Sequence, residues 1–240
     1  KDASPAEKSL FIQYVQSGNI VLSANYANVL TGLSQSAELN WLVSYAEQLE
    51  QRYRTTLINS LAGFRQAVLV GTQSSEGHHN LAIFNSLMHL GAHPALYGLI
   101  NRPDSVQRDT LQNIISTKAY TLNYVRAADY KRAHQTSARY DKEISEFEAV
   151  GFEPAYLPSC TAPMVKNAVV SIAMQLEEII PIAINGTILI VGSVQQIHID
   201  EQLVEKDGFV SLSEEQVVIS QGLDAYFVPS PLGRLAYAKP

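Results

Sequence analysis

The sequence predicts a mainly β protein: an antiparallel, Greek-key-like barrel over residues 63–240, closed or half-closed, preceded by a helical extension over residues 1–62. Three observations predict it. Helical spacing of apolar residues is concentrated before residue 62. From Arg65 onward the apolar runs become short and β-branched, with Gly, Asn, Ser and Pro between them. The runs do not alternate with helices as βαβ units would, and a single clear helix interrupts them mid-chain.

In the extension, Ser4-Pro5-Ala6-Glu7 reads as a capping box with Pro at the first helical position. Leu10, Phe11, Tyr14 and Val15 follow at helical spacing, and Gly18 is the stop. A weaker helix is expected from Ala24 to Leu33. A third carries Leu39, Leu42, Val43, Ala46, Leu49 and Tyr53 on one face and continues to Leu61, with Gly63 beyond it. These faces suit packing on the barrel or on a dimer seam.

In the barrel, Ala67-Val68-Leu69-Val70-Gly71-Thr72 reads as a strand and Ser74-Ser75-Glu76-Gly77 as a turn. Further strands are expected at 80–86, 96–100, 119–125, 168–176, 179–199 and 217–220. Leu111, Ile114 and Ile115 mark a helix over 109–117. Residues 126–167 read as irregular, with a helical stretch near 143–150. Asn185-Gly186 signals a two-residue type I′ hairpin.

Composition excludes several classes. A net charge of −6, from 17 Lys+Arg against 23 Asp+Glu, argues against a nucleic-acid surface. No apolar run reaches the roughly 18–20 residues of a membrane span. The single cysteine, Cys160, rules out an intrachain disulfide framework and makes a reducing cytoplasm the expected setting. The opening Lys1-Asp2-Ala3-Ser4-Pro5 lacks a methionine, so a start or leader upstream is expected. There is no Gly-x-Ser-x-Gly elbow and no G-x-G-x-x-G fingerprint. His78, His79, His89 and His93 invite a metal reading, but Gly91 and Pro94 oppose a helix there and no carboxylate or thiol cluster completes a ligand set. No metal is expected.

At Asn80-Leu81-Ala82-Ile83-Phe84-Asn85-Ser86 the sequence resembles the flavin reductase-like, FMN-binding split-barrel family. The likeness continues through His93-Pro94-Ala95-Leu96-Tyr97-Gly98 and the stretch from Arg102 to Ile114. It resumes at Ser137-Ala138-Arg139-Tyr140, at Glu146-Phe147-Glu148 and at Gly186-Thr187-Ile188-Leu189-Ile190-Val191-Gly192-Ser193-Val194. The blocks keep the family's order over about residues 60 to 200, and 222–240 look like a subgroup of it. The resemblance implies bound FMN, a homodimer with flavin near the seam, and NAD(P)H as a transient hydride donor.

The residues offer groups for those tasks. Arg102, Ser105, Arg108, Asp109 and Thr110 lie at the start of the mid-chain helix, where guanidinium groups, hydroxyls and unpaired N–H groups suit a phosphate. The plainer alternative is a solvated helix cap with surface arginines. Asn80, Leu81, Ala82, Ile83, Phe84, Asn85 and Ser86 form a strand whose backbone and polar side chains could meet the ring edge; an ordinary edge strand with polar ends fits equally. Many relatives carry Gly-Asp-His where this chain has Asn185-Gly186-Thr187, so the usual imidazole is missing. His134 is the best replacement, set against an idle loop histidine. Two further functions stay open: an FMN-binding electron carrier or sensor with little NAD(P)H turnover, and a scaffold that has lost flavin.

Overall fold

The computed structural model describes residues 51–103, 109–141, 143–213 and 215–238. Contacts divide the chain into 1–55 and 56–240, and the second unit is described below. The expected helices before residue 51 lie outside the described residues.

Helix α1 (Gln51–Leu61) ends where the Gly63 N–H donates to the Ser60 carbonyl at 3.1 Å. A short strand, β1 (Phe64–Gln66), follows. The main sheet is built from β2 (Val68–Gln73), β3 (His79–Phe84), β4 (Met88–Ala92), β5 (Ala95–Asn101), β6 (Ala119–Tyr124), β9 (Val170–Ile182) and β10 (Thr187–Ile199). Its order is β3-β2-β6-β9-β10-β5-β4, antiparallel throughout. β3 and β4 stand at opposite edges of that order, yet only three residues link them. The sheet must therefore curl until its edges come together at one end, which makes a split barrel. Ser86, inside the link, fastens it: its hydroxyl donates to the Ile100 carbonyl at 2.9 Å and accepts from the Ile100 N–H at 3.1 Å.

Between β5 and β6 lies α2 (Asp109–Thr117), with the bounds expected from Leu111, Ile114 and Ile115. Leu111 and Ile114 are buried with Val68, Val70, Tyr120 and Met174 in the main core. Along β2 the neighbouring Leu69 points the other way, into a second core with Leu81, Phe147 and Phe152, as the two-residue strand period requires. That second core is covered by α3 (Tyr130–Gln135) and α4 (Glu146–Ala149). Two small sheets complete the unit. One pairs β7 (Pro154–Ala155) with β8 (Met164–Val165). The other sets β1 beside β11 (Ile219–Gln221) and β12 (Ala225–Phe227).

Inside the barrel Gly192 of β10 faces Tyr120 of β6. A Cβ at 192 would lie 2.1 Å from the Tyr120 hydroxyl oxygen and 2.9 Å from its ring carbon. That hydroxyl is buried without a hydrogen-bond partner, and burial pushes its pKa up. The ladder of β10 against β9 slips by one residue between Val191 and Gly192.

The structure corrects four expectations. The β9–β10 connection is a four-residue loop, 183–186, not a two-residue type I′ turn. Among its residues Gly186 takes positive φ, at 72°, and the Asn185 carboxamide oxygen accepts from the Thr187 N–H at 3.0 Å and its hydroxyl at 2.7 Å. An Asx turn of this kind stabilises Asn185 without the left-handed backbone that type I′ demands. Helix α3 occupies part of a stretch expected to be irregular. β4 runs through residues that gave no strand signal. The helical stretch near 143–150 contracts to Glu146–Ala149.

Candidate functional site

Of the residues expected to meet a phosphate, Arg102, Asp109 and Thr110 are among the described residues. Ser105 and Arg108 lie outside the described residues, as do their neighbours from 104 to 107. Arg102 is exposed, and its side chain bonds no described residue. Asp109 and Thr110 open α2. Thr110 is buried, and its hydroxyl oxygen accepts from the Asn80 amide at 2.9 Å. The same amide reaches the Thr72 hydroxyl at 3.3 Å, which Asn113 approaches at 3.2 Å. These four buried polar side chains tie the start of α2 to β2 and β3. They fix where the N–H groups of the helix's first turn sit. The β9–β10 loop comes close to the residue after Arg102: a Cβ at Gly186 would lie 3.5 Å from Pro103. Thr187 follows that loop.

The expected ring-edge strand is largely used by the protein itself. The outward N–H of Leu81 donates to the Glu146 carboxylate at 3.0 Å. That of Ile83 donates to the Thr136 hydroxyl at 3.0 Å. The Asn85 amide donates to the Gly222 carbonyl at 2.6 Å, which Arg65 also reaches, and Ser86 is fastened to Ile100 as above. Asn80 is committed to α2. Ala82 and Phe84 are half-buried on the same strand. The backbone donors that the sequence reading assigned to a ligand at Leu81 and Ile83 therefore hold helices to the barrel.

His134 sits in α3, two residues before Thr136. Its Nδ1 lies 2.9 Å from the Tyr226 hydroxyl of β12, and the rings meet edge-on. Burial, reinforced by the carboxylate of Asp224, pushes Tyr226 up to about 12, so its hydroxyl keeps its proton at neutral pH. His134 is thus joined to the β12 strand, and Nε2 is the nitrogen left for other partners.

Glu146 and Thr136 were not singled out as site residues from the sequence. Both act on backbone far away in the chain, and no local pattern marks that. Asn113 did leave a signal: with Thr110 it places two polar groups three apart beside the apolar face of α2. Glu146 has its pKa raised, by burial first and also by Asp109, against the lowering effect of the Leu81 N–H. Cys160 is half-buried and burial pushes its thiol up, which disfavours the reactive thiolate. A separate cleft lined by Leu69, Val125, Arg126, Arg132, Glu153 and Lys166 contains none of the candidate residues. Its charges are paired, Arg126 with Glu215, Arg132 with Asp129 and Lys166 with Glu153. His79 contacts the Tyr156 hydroxyl at 2.6 Å and His89 packs edge-on against Tyr97. No group of three or more His, Cys, Asp or Glu is placed to hold a metal ion among the described residues.

The flavin reductase like domain model matches residues 62–213, more than half of the chain and nearly the whole barrel. The chain belongs to the flavin reductase-like family. A Shewanella frigidimarina NCIMB 400 protein assigned as a flavin reductase with a split barrel domain is 45% identical, with a TM-score of 0.78 over 81% of this chain and 97% of that one. Component B of nitrilotriacetate monooxygenase from Bacillus cereus shares the fold at 21% identity, TM-score 0.71, covering 79% of this chain and 96% of that one. An uncharacterized protein of Aquifex aeolicus is 29% identical over 115 residues, 47% of this chain; the match spans 59% of the length of that relative. In this flavin reductase-like chain the family match begins at the end of α1 and takes in both Arg102 and α2. No helix among the described residues is long and apolar enough to cross a membrane.

Proposed function

We propose that this chain binds FMN and acts as an oxidoreductase, taking a hydride from NAD(P)H and passing electrons to an acceptor. One observation carries the reading. On a chain matched to the flavin reductase-like family, an exposed Arg102 whose side chain bonds no described residue follows β5, and a buried polar network holds the start of α2 in place. That donor set fits a phosphate monoester. The helix start offers N–H groups, and Thr110, which accepts from Asn80, keeps its own O–H to give. In this reading Arg102, Ser105, Arg108, Asp109 and Thr110 hold the phosphate end. The strand from Asn80 through Leu81, Ala82, Ile83, Phe84 and Asn85 to Ser86 walls the ring. Bound FMN supplies the hydride and electron chemistry, so no nucleophilic side chain is required. Two copies form the working unit, as the family resemblance implies.

The absorbance spectrum of the purified protein tests the cofactor. A flavin band near about 450 nm is expected, and its loss on mixing with NADH or NADPH reports hydride transfer. Arg102→Ala should weaken FMN about 10–100-fold, the loss of one charge-assisted hydrogen bond worth about 1.5–3 kcal/mol. Riboflavin should lose the same margin in the unaltered chain. Equal binding of FMN and riboflavin would show the phosphate corner to be wrong.

A second reading, an FMN-binding electron carrier or sensor with little NAD(P)H turnover, is favoured by the imidazole's absence at Thr187 and by the tie between His134 and Tyr226. Rapid mixing separates the two: a bound flavin that NADH and NADPH both leave oxidised selects the carrier. If His134 serves the hydride step, reduction rates from about pH 5 to 9 should differ in shape between the unaltered chain and His134→Ala. Identical profiles remove His134 from the chemistry.

A further inference from the structure

We propose that residues 228–238 form an arm that docks on a second copy of this chain. β12 ends at Phe227, and residues 228–238 after it belong to no helix or strand among the described residues. Within six residues the arm carries Leu232 at 106%, Leu235 at 97% and Tyr237 at 90% exposure. Single exposed leucines are ordinary on a protein surface, but three large apolar side chains in full contact with water on one short segment mark an interaction surface.

The arm is held, not loose. The Arg234 guanidinium donates to the Glu205 carboxylate at 2.8 Å and to the Asp207 carboxylate at 2.6 Å. It also lies over the Phe209 ring at 4.1 Å. This clasp sits between Leu232 and Leu235, so the chain is pinned to its own body while the apolar side chains beside the pin point outward. Pro229 and Pro231 fix φ just before it.

Area argues for a second copy as the occupant. A buried tyrosine removes about 150–250 Å² from water. With two leucines on each arm, two arms and an equal area on the surfaces that receive them, a twofold pair would bury on the order of 1,500 Å², within the range of specific interfaces. A single arm on an unrelated partner would bury about half of that and fall below it. The proposal rests on the homodimer reading above and adds which segment makes it.

The test is sedimentation of the full chain and of a Leu232→Asp, Leu235→Asp, Tyr237→Asp triple variant. The three side chains touch little of their own subunit, so the variant should keep the far-UV spectrum and melting behaviour of the unaltered chain. A dimer is expected for the unaltered chain, with its dissociation constant raised about 100-fold or more in the variant, as loss of a hot-spot cluster produces. A variant as dimeric as the unaltered chain overturns the arm and leaves the dimer standing. A monomeric unaltered chain overturns both. Photocrosslinking from benzoylphenylalanine placed at 237 gives a second readout. A covalent product of twice the chain mass supports the arm, and crosslinks confined to one chain overturn it.

Discussion

The two edges of the seven-stranded sheet are finished in opposite ways. At β3 the outward N–H groups of Leu81 and Ile83 are taken by Glu146 and Thr136, and helices α3 and α4 lie over the edge. At β4 the side chains of Met88, His89 and Leu90 are exposed, and no charged residue stands on the strand. What interrupts β4 is a register shift between His89 and Gly91 against β5. Open edges invite pairing with other chains, and a bulge is one of the ways proteins blunt them. The comparison teaches that the segment between β6 and β9 has a structural task. It supplies acceptors to backbone groups that no strand can reach.

If that is right, the β3 side should be sensitive and the β4 side tolerant. Asn80→Ala should have the largest effect. It removes two buried hydrogen bonds and leaves Thr110 without its donor, so a loss of about 2–4 kcal/mol is expected in urea unfolding. It should also weaken FMN, because the start of α2 loses its anchor. A loss under about 0.5 kcal/mol would mean the network carries no weight.

Glu146→Ala should come next, costing about 1–3 kcal/mol through the orphaned Leu81 N–H. Glu146→Gln keeps an acceptor and should recover most of that. The two differ again with pH. Because burial raises the folded-state pKa of Glu146, the folded form holds its proton more tightly than the unfolded chain. Stability from this group is complete below the unfolded value of about 4.3 and is lost as pH rises through the folded value. The unaltered chain should therefore lose stability relative to Glu146→Gln over that window. A difference that stays flat with pH contradicts a buried, charged Glu146. Smallest of all, Met88→Lys and Leu90→Lys should each shift unfolding by no more than about 0.5 kcal/mol, although both side chains lie over Gly98. A larger loss would show that β4 is not an open edge.

The sequence made parts of this legible and hid others for identifiable reasons. β2, β6 and α2 were readable because their burial is written in local periodicity: Val68, Val70, Tyr120 and Leu122 alternate, and Leu111 and Ile114 share a helix face. α3 was not. Its stretch reads Tyr130, Lys131, Arg132, Ala133, His134, Gln135, and Ala133 is its one buried residue, so no apolar stripe exists to detect. β4 mixes Met, His, Leu and Gly on an exposed edge and gives no alternation either. At the site, the place of Asp109 and Thr110 at the opening of α2 was legible from the local helix signal. The use of the Leu81 and Ile83 N–H groups was not, because their acceptors lie 65 and 53 residues away.

The meeting of Gly192 with Tyr120 has a consequence for how this barrel can change over generations. The hydroxyl occupies the space that a side chain at 192 would need, with nothing gained in hydrogen bonding. The two positions cannot drift independently. A larger residue arriving first at 192 meets the phenol oxygen at 2.1 Å, an overpacking that cores accommodate poorly. Phenylalanine at 120 would clear the oxygen but keep a ring carbon at 2.9 Å, so the opening requires a side chain shorter still. Substitution at 192 is therefore coupled to what stands at 120. Even a side chain that opened the space at 120 would leave the Gln175 carbonyl oxygen 3.0 Å from a Cβ at 192, so the backbone of β9 must yield as well.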